Sequence, residues 1–267
     1  MFNSLKKFRI LVVALICIYS ALSLPSFSAE QATSAEELDK HMAPYLKKIS
    51  EAAGNYDDKI GAVNDQLLSY FKKAGSNPVL LTAPLPTCQS NGLKALASED
   101  GQTRFFSWDT NTGGSMHFFY SLVQYRVQGK TYCSVLNPKQ TCGDKHECGQ
   151  DFADVRSVKT KDGKSIYLAT YSAYFSHPES CRSIAAYSIV GTKLVPVKVF
   201  QAKSQLLDTI DCPLHDTVEY QEKSFVKISQ DGQTVSVPII TKNNVVTGHY
   251  LIYRFDGNKF VFDPKGK

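Results

Sequence analysis

Two segments near the N-terminus have the hydrophobic periodicity of amphipathic helices. Ser34 and Glu37 form a capping-box pattern ahead of the first segment. Apolar residues then recur at steps of three or four, at Leu38, Met42, Tyr45, Ile49 and Ala52. The second stripe comprises Tyr56, Ile60, Val63, Leu67 and Phe71, and Gly75 to Pro78 end it. The pattern predicts two helices, which either cover a sheet or bind a partner.

From about Leu93 the pattern changes to short runs of β-branched and aromatic residues, which is typical of antiparallel strands. Asp-Gly pairs separate four of these runs, at Asp100-Gly101, Asp162-Gly163, Asp231-Gly232 and Asp256-Gly257. We expect type I′ turns at these pairs, because Asp and Gly tolerate positive φ. Segments 155–175 and 249–263 are the clearest hairpins, and two more are predicted at Gln128-Gly129 and Gly191-Thr192.

The pattern as a whole predicts a mainly β protein, α+β overall. About ten to twelve strands joined by short turns indicate an antiparallel β-meander, closed as a sandwich, a barrel or a propeller-like stack and preceded by two N-terminal helices. The Asp-Gly turns have no fixed period, which ranks the propeller below the other two.

The first residues have the layout of a secretory signal peptide. Lys6, Lys7 and Arg9 precede an apolar run from Ile10 to Leu24, followed by Pro25 and small residues. We therefore expect a signal peptide over 1–28, a helical extension over 29–77, and a disulfide-stabilised β domain over 78–267. The apolar run is shorter than the roughly 18 residues of a spanning helix, so no membrane span is expected in the mature chain. The predicted location is periplasmic or secreted.

Charge gives no support to a nucleic-acid partner. Three of the 30 basic residues lie in segment 1–28, which leaves 27 basic against 25 acidic residues. The mature chain contains no block of Lys or Arg, so no nucleic acid is expected as a partner.

Cysteine usage predicts disulfides, because exported chains leave the reducing cytosol. Removal of Cys17 leaves six cysteines, at Cys88, Cys133, Cys142, Cys148, Cys181 and Cys212. Proximity along the chain favours Cys142–Cys148 and Cys181–Cys212, which leaves Cys88–Cys133. A metal site at Cys142, His146 and Cys148 is the competing interpretation. It lacks a fourth ligand and the usual zinc spacing, so no metal is predicted.

No catalytic constellation is present in the sequence. The chain contains no G-x-S-x-G, H-E-x-x-H or glycine-rich phosphate loop, so we assign no catalytic residue and no cofactor. Ser115 and His117 are two residues apart on a predicted strand, about 7 Å apart at the backbone, which is too far for a direct nucleophile–base pair.

The loop "DTNTGG" after the only tryptophan is the candidate binding site. A Trp at a loop mouth, beside polar side chains and backbone amides, can stack a sugar ring or bind a peptide strand. The candidate residues are Trp108, Asp109, Asn111, Gly113, Gly114 and His117. The alternative is purely structural, with Asp109 and Asn111 forming Asx turns and the glycines supplying positive φ.

The segment from Glu99 to Tyr125 resembles a group of secreted, functionally uncharacterised, β-rich bacterial proteins that share D-G-x-x-R-F-x-S-W-D-T-x-T-G-G. The resemblance implies an exported bacterial β protein and transfers no catalytic residue. We therefore expect an exported, non-catalytic binding protein of the bacterial envelope, with a glycan or an envelope protein as its ligand. The alternatives are a periplasmic or secreted hydrolase whose site forms only in three dimensions, and a structural envelope protein.

Overall fold

The computed structural model describes residues 34–53, 59–113, 117–137, 148–175, 179–215, 225–243 and 245–266. These residues belong to one compact unit, Thr33–Lys267. Within these ranges, no helix has both the length and the apolar character needed to cross a membrane. The predicted signal peptide, 1–28, lies outside the described residues.

Both predicted helices are confirmed, as α1 (Ala35–Glu51) and α2 (Ile60–Ala74). The capping box is present: the Glu37 N–H donates to Ser34 Oγ (3.1 Å), and the Ser34 N–H donates to Glu37 Oε2 (2.8 Å). A 3₁₀ turn, Pro78–Leu81, and a short helix α3, Pro86–Ser90, follow. They were not predicted, because segments of four or five residues are too short to show a helical period.

A buried carboxylate on α1 holds the start of α3. The Asp39 side chain accepts the N–H groups of Thr87 (3.0 Å) and Cys88 (2.8 Å), as an N-cap residue would. Burial acts to raise the pKa of Asp39, but the hydrogen bonds from Cys88 and Thr87 outweigh it, so the pKa is lowered. The first and third helices are therefore joined by a charge-assisted cap.

Fifteen strands form three sheets in the described part of the chain. Sheet 1, in the order β1-β2-β3-β4, contains β1 Lys94–Ala97, β2 Thr103–Asp109, β3 Phe119–Val127 and β4 Lys130–Val135. Sheet 2, in the order β11-β7-β6-β5 with β8 paired to β7, contains β5 Asp151–Lys159, β6 Ser165–Tyr174, β7 Glu179–Val190, β8 Lys193–Pro196 and β11 Thr209–His215.

Sheet 3 has the order β10-β9-β15-β14-β13-β12. It contains β9 Phe200–Ala202, β10 Gln205–Leu207, β12 Lys227–Ile228, β13 Thr234–Ile240, β14 Val246–Phe255 and β15 Phe260–Asp263. The strand pairs are antiparallel except for a single parallel contact between β15 and β9. The predicted mainly β, antiparallel meander with preceding helices is confirmed.

The elements stack as four layers with three apolar cores between them. The first core joins the helices to one face of sheet 1, through Phe71, Phe106 and Trp108. The second joins the opposite face of sheet 1 to sheet 2, through Phe105 and Tyr167. The third joins sheet 2 to sheet 3, and its central members are Leu168, Ile184, Phe200, Val235 and Phe260.

The Asp-Gly turns differ from the predicted type. Each of the four glycines has positive φ, but none of the four aspartates does, so these are not type I′ turns. At 160–163 the Gly163 N–H donates to the Thr160 carbonyl (2.9 Å), and the Thr160 hydroxyl donates to the Asp162 carboxylate. Ser98–Gly101 and Ser229–Gly232 repeat this arrangement.

A hydroxyl two residues before each of these three aspartates explains the difference. It hydrogen-bonds the Asp side chain and favours a turn in which only the glycine is left-handed. The predicted type I′ geometry occurs instead at the β3–β4 hairpin, where Gln128 (φ 48°) and Gly129 (φ 78°) are both left-handed.

The predicted pairings of four cysteines are wrong, because Cys88, Cys133, Cys181 and Cys212 are free thiols. On adjacent strands, Cys181 pairs with Pro213 and Cys212 pairs with Arg182. Directly opposed residues share a face, so Cys181 and Cys212 point to opposite faces of sheet 2 and cannot meet.

The second rejected pairing joins cysteines that pack against different helices. Cys88 contacts Asp39 of α1, whereas Cys133 packs against Gly75 at the end of α2. Burial raises the pKa of Cys133, and likewise that of Cys212, to about 11, which keeps these thiols protonated. Cys148 is disulfide-bonded, and its predicted partner, Cys142, lies outside the described residues.

We expect Gly163→Ala to lower the free energy of unfolding by about 1 kcal/mol or more, because φ at Gly163 is 81°. A methyl group there would meet no atom within 4 Å, so backbone strain alone would act. Gly61→Ala in α2, where the space is also open, is the matched control and should be neutral or stabilising. Urea denaturation measures both, and equal effects would show that the turn does not require glycine.

We also expect at least four reactive thiols per chain when the protein is denatured without reductant, matching the four free cysteines. The native protein should react slowly, because Cys88, Cys181 and Cys212 are buried. Titration with Ellman's reagent counts the thiols, and alkylation followed by mass spectrometry locates them. Two or fewer thiols after denaturation would restore the predicted disulfides.

Candidate binding site

Trp108 lies in the hydrophobic core and not at a loop mouth. Its side chain is 2% exposed and stacks on Phe71 of α2, with ring centroids 5.4 Å apart and planes 16° apart. It also contacts Tyr120 of β3 (5.3 Å). Alternation along β2 directs Trp108, like Phe106, toward the helices. Trp108 therefore has a structural role in the core, which was the alternative to a binding role.

A buried asparagine on α2 provides the polar contacts of this region. Asn64 Oδ1 accepts the Trp108 indole N–H (2.9 Å). Asn64 Nδ2 donates to the carbonyls of Ile60 (2.9 Å) and Thr110 (2.9 Å). One amide therefore joins α2 to the end of β2 and to the loop after it. Sequence patterns could not predict this role, because Trp108 and Thr110 lie 44 and 46 residues away from Asn64 along the chain.

The loop itself is held by local and tertiary hydrogen bonds. Asp109 Oδ1 accepts the Asn111 N–H (2.9 Å), which is the predicted Asx turn. Asn111 is left-handed, with φ 52°, and its side-chain amide donates to the carbonyl of Ile49 on α1 (2.8 Å). Gly113 is half-buried, and Gly114 lies outside the described residues. These contacts fix the loop against α1.

Of the predicted residues that the structure describes, His117 is the exposed one. Its Nδ1 lies 2.5 Å from Asp109 Oδ2, and 48% of its side chain is exposed. The ring lies 5.5 Å from that of Tyr174, with which His117 forms a β-bridge, and 6.3 Å from that of Phe119. With a carboxylate accepting at Nδ1, that nitrogen carries the proton, so Nε2 is left to accept a hydrogen bond or a proton.

The structure brings Asp109 and His117 together at the surface where sheets 1 and 2 meet. The Asn111 side chain contacts α1, and Trp108 points to the helix side of sheet 1. The resulting patch has a fixed imidazole and two aromatic neighbours. Nε2 of His117 can accept one hydrogen bond from a ligand. The imidazole is also oriented by a carboxylate, as the imidazole of a general base is.

A larger concave surface lies at the side of sheets 2 and 3. This cleft has a volume of about 910 Å³ and is lined mainly by β11, β13 and β14. Apolar side chains dominate the lining, among them Ile210, Ile240, Leu251 and Tyr253, with Asp211 and Lys242 as its charged members. Leu251 is 38% exposed within it. Sequence patterns could not identify this cleft, since its residues come from separate strands.

The edge of β11 is a poor template for an added strand. The Ala186 N–H donates to Asp208 O, and bonding alternates along an antiparallel strand. The backbone groups of Thr209, Asp211 and Pro213 therefore face away from β7. Pro213 has no N–H to donate, a common protection of edge strands. A ligand in this cleft would contact side chains rather than extend the sheet.

No protein-family model, curated protein or solved structure matches the chain.

We expect Trp108→Ala to lower the free energy of unfolding by about 3–5 kcal/mol, as loss of a buried Trp does. Trp108→Phe should lower the free energy of unfolding less, because the phenyl ring keeps its contact with Phe71. The remaining loss would come from the missing hydrogen bond to Asn64. Asp109→Asn, on the partly exposed side of the sheet, should change stability little. A near-normal urea midpoint for Trp108→Ala would place the indole at the surface.

Proposed function

We propose that the chain is an exported, non-catalytic binding protein of the bacterial envelope whose ligand is another protein. An apolar segment of that partner would bind in the cleft lined by Ile210, Ile240, Leu251 and Tyr253. The observation that carries the proposal is the combination of size and lining: about 910 Å³, mostly apolar, with a half-exposed leucine. Binding clefts of this kind are concave and apolar with a few polar groups.

The lining favours a protein over a glycan as the ligand. A sugar presents many hydroxyl groups, which need hydrogen-bond partners when they lose water. The cleft offers one aromatic ring, Tyr253, and two charged side chains, Asp211 and Lys242. Aliphatic and aromatic side chains of a partner would instead gain about 25 cal/mol for each Å² removed from water.

A hydrolase is the second candidate, favoured by the Asp109–His117 pair. In many acyl-transfer sites the general base is an imidazole that a carboxylate orients. Among the described residues, however, Asp109 is the one side chain that hydrogen-bonds the His117 imidazole. Ser115, weighed as a nucleophile from the sequence, lies outside them. Ester or peptide hydrolysis that disappears in His117→Ala would favour this candidate.

The binding proposal is tested with a phage-displayed library of random peptides selected on the wild-type protein. We expect enrichment of peptides rich in apolar residues. Leu251→Asp should weaken the binding of a selected synthetic peptide at least about tenfold, because a charge would replace an apolar contact surface. Isothermal titration calorimetry measures the dissociation constants.

Leu206→Asp is the matched control. Leu206 is 39% exposed, close to the 38% of Leu251, and lies on β10 at the far edge of sheet 3, outside the cleft, so this variant should bind normally. Equal binding by both variants would show that the cleft is not the site. Binding to a glycan array with no peptide enrichment would contradict a protein ligand.

A further inference from the structure

We propose that a second cavity, between sheets 2 and 3, binds a small organic carboxylate. It has a volume of about 300 Å³ and lies at the end of the core that these sheets share. Its walls come from β5, β6 and β7 on one side and from residues 225–228 on the other. This site is separate from the apolar cleft and does not depend on the function proposed for that cleft.

Two buried hydroxyl groups line the cavity with their hydrogen-bonding capacity unused. Thr170 and Ser172 are each 4% exposed and lie on the same face of β6, two residues apart. Neither side chain makes a hydrogen bond within the described residues, although both are lining residues. Buried hydroxyls normally have a partner, so two that face a cavity indicate that a ligand or water supplies it.

A buried guanidinium stands directly beside these hydroxyls. Arg182 is 3% exposed and is paired with Ser172 across β6 and β7, so the two side chains share a face. Its guanidinium carbon lies 5.3 Å from the ring centroid of Tyr174 and 4.8 Å from that of Phe225. These cation–π contacts hold a positive charge at the cavity wall.

The charges around the cavity favour an anion. Arg182 and Lys227 line it together with a single acid, Asp154, so the lining carries one net positive charge by count. Asp154 lies 3.2 Å from Nη2 of Arg156, and the nearby Asp151 lies 2.5 Å from Nζ of Lys94. Each of these carboxylates therefore lies beside a cation, although Arg156 also lies 2.7 Å from Oε1 of Glu99.

The remaining walls select an anion with a hydrocarbon part. Phe225, Val226 and Ile228 form the apolar side of the cavity. A carboxylate would accept hydrogen bonds from Thr170 and Ser172 beside the charge of Arg182. A short aliphatic chain would contact the apolar side. Inorganic phosphate or sulfate has no group that could make this second contact.

The experiment is calorimetric titration with acetate, butyrate, succinate, phosphate and sulfate, at an ionic strength held constant with chloride. We expect butyrate to bind more tightly than acetate and than either inorganic anion. The double variant Thr170→Val, Ser172→Ala should weaken butyrate binding at least about tenfold, because it removes two donors to a charged group. Arg182→Gln should weaken it further.

Ser188→Ala, on the same strand as Arg182 but outside the cavity, is the matched control and should bind normally. Circular dichroism verifies folding, and the hydroxyl variants keep the test valid if Arg182→Gln does not fold. The proposal is overturned if the wild type binds no carboxylate, if it binds phosphate or sulfate as tightly as butyrate, or if the double variant retains wild-type affinity.

Discussion

The structure depends on the two-sided burial of its inner sheets. In β2, the consecutive residues Phe105 and Phe106 are both inaccessible to solvent, although they point to opposite faces of sheet 1. Sheet 1 must therefore be covered twice, by the helices and by sheet 2. The strands β6 and β7 are buried on both faces in the same way, which requires sheet 3 on the far side. The four layers follow from this requirement, because an inner sheet with one bare face would expose a large apolar surface.

Burying so much of the chain also buries polar groups, and a few side chains satisfy them. Asn64 accepts a hydrogen bond from the indole of Trp108 and donates one to the carbonyl of Thr110. Asp39 caps the N-terminus of α3. Arg104 donates from one nitrogen to the carbonyls of Leu80 (2.9 Å) and Ala83 (2.6 Å) in the irregular segment before sheet 1. Burial lowers the pKa of Arg104 to about 10, which still leaves it charged at neutral pH. These contacts satisfy backbone groups in the loops and short helical turns between the longer elements.

The candidate functional surfaces lie where the layers end. The Asp109–His117 pair sits where sheet 1 meets sheet 2, through the bridge between His117 and Tyr174. The apolar cleft lies along the edge strand β11, beside β13 and β14 of sheet 3. The cavity beside Arg182 lies at the end of the core between sheets 2 and 3. At such places the strands still present side chains but no further layer covers them, which makes concave surfaces without a dedicated loop.

The sequence alone determined the helices, the hairpins and the antiparallel class, because periodicity and turn chemistry act between near neighbours, as in the capping box of Ser34 and Glu37. It could not decide the face on which a residue lies. From the sequence, Trp108 could be a recognition residue or a core residue, and only the packing of α2 over it shows that it is a core residue. The Cys181–Cys212 pairing is wrong because the register of β7 and β11 places the two thiols on opposite faces. Gathering Thr170, Ser172 and Arg182 around one cavity likewise required the tertiary structure, because strand register and layer packing join residues that are distant along the chain.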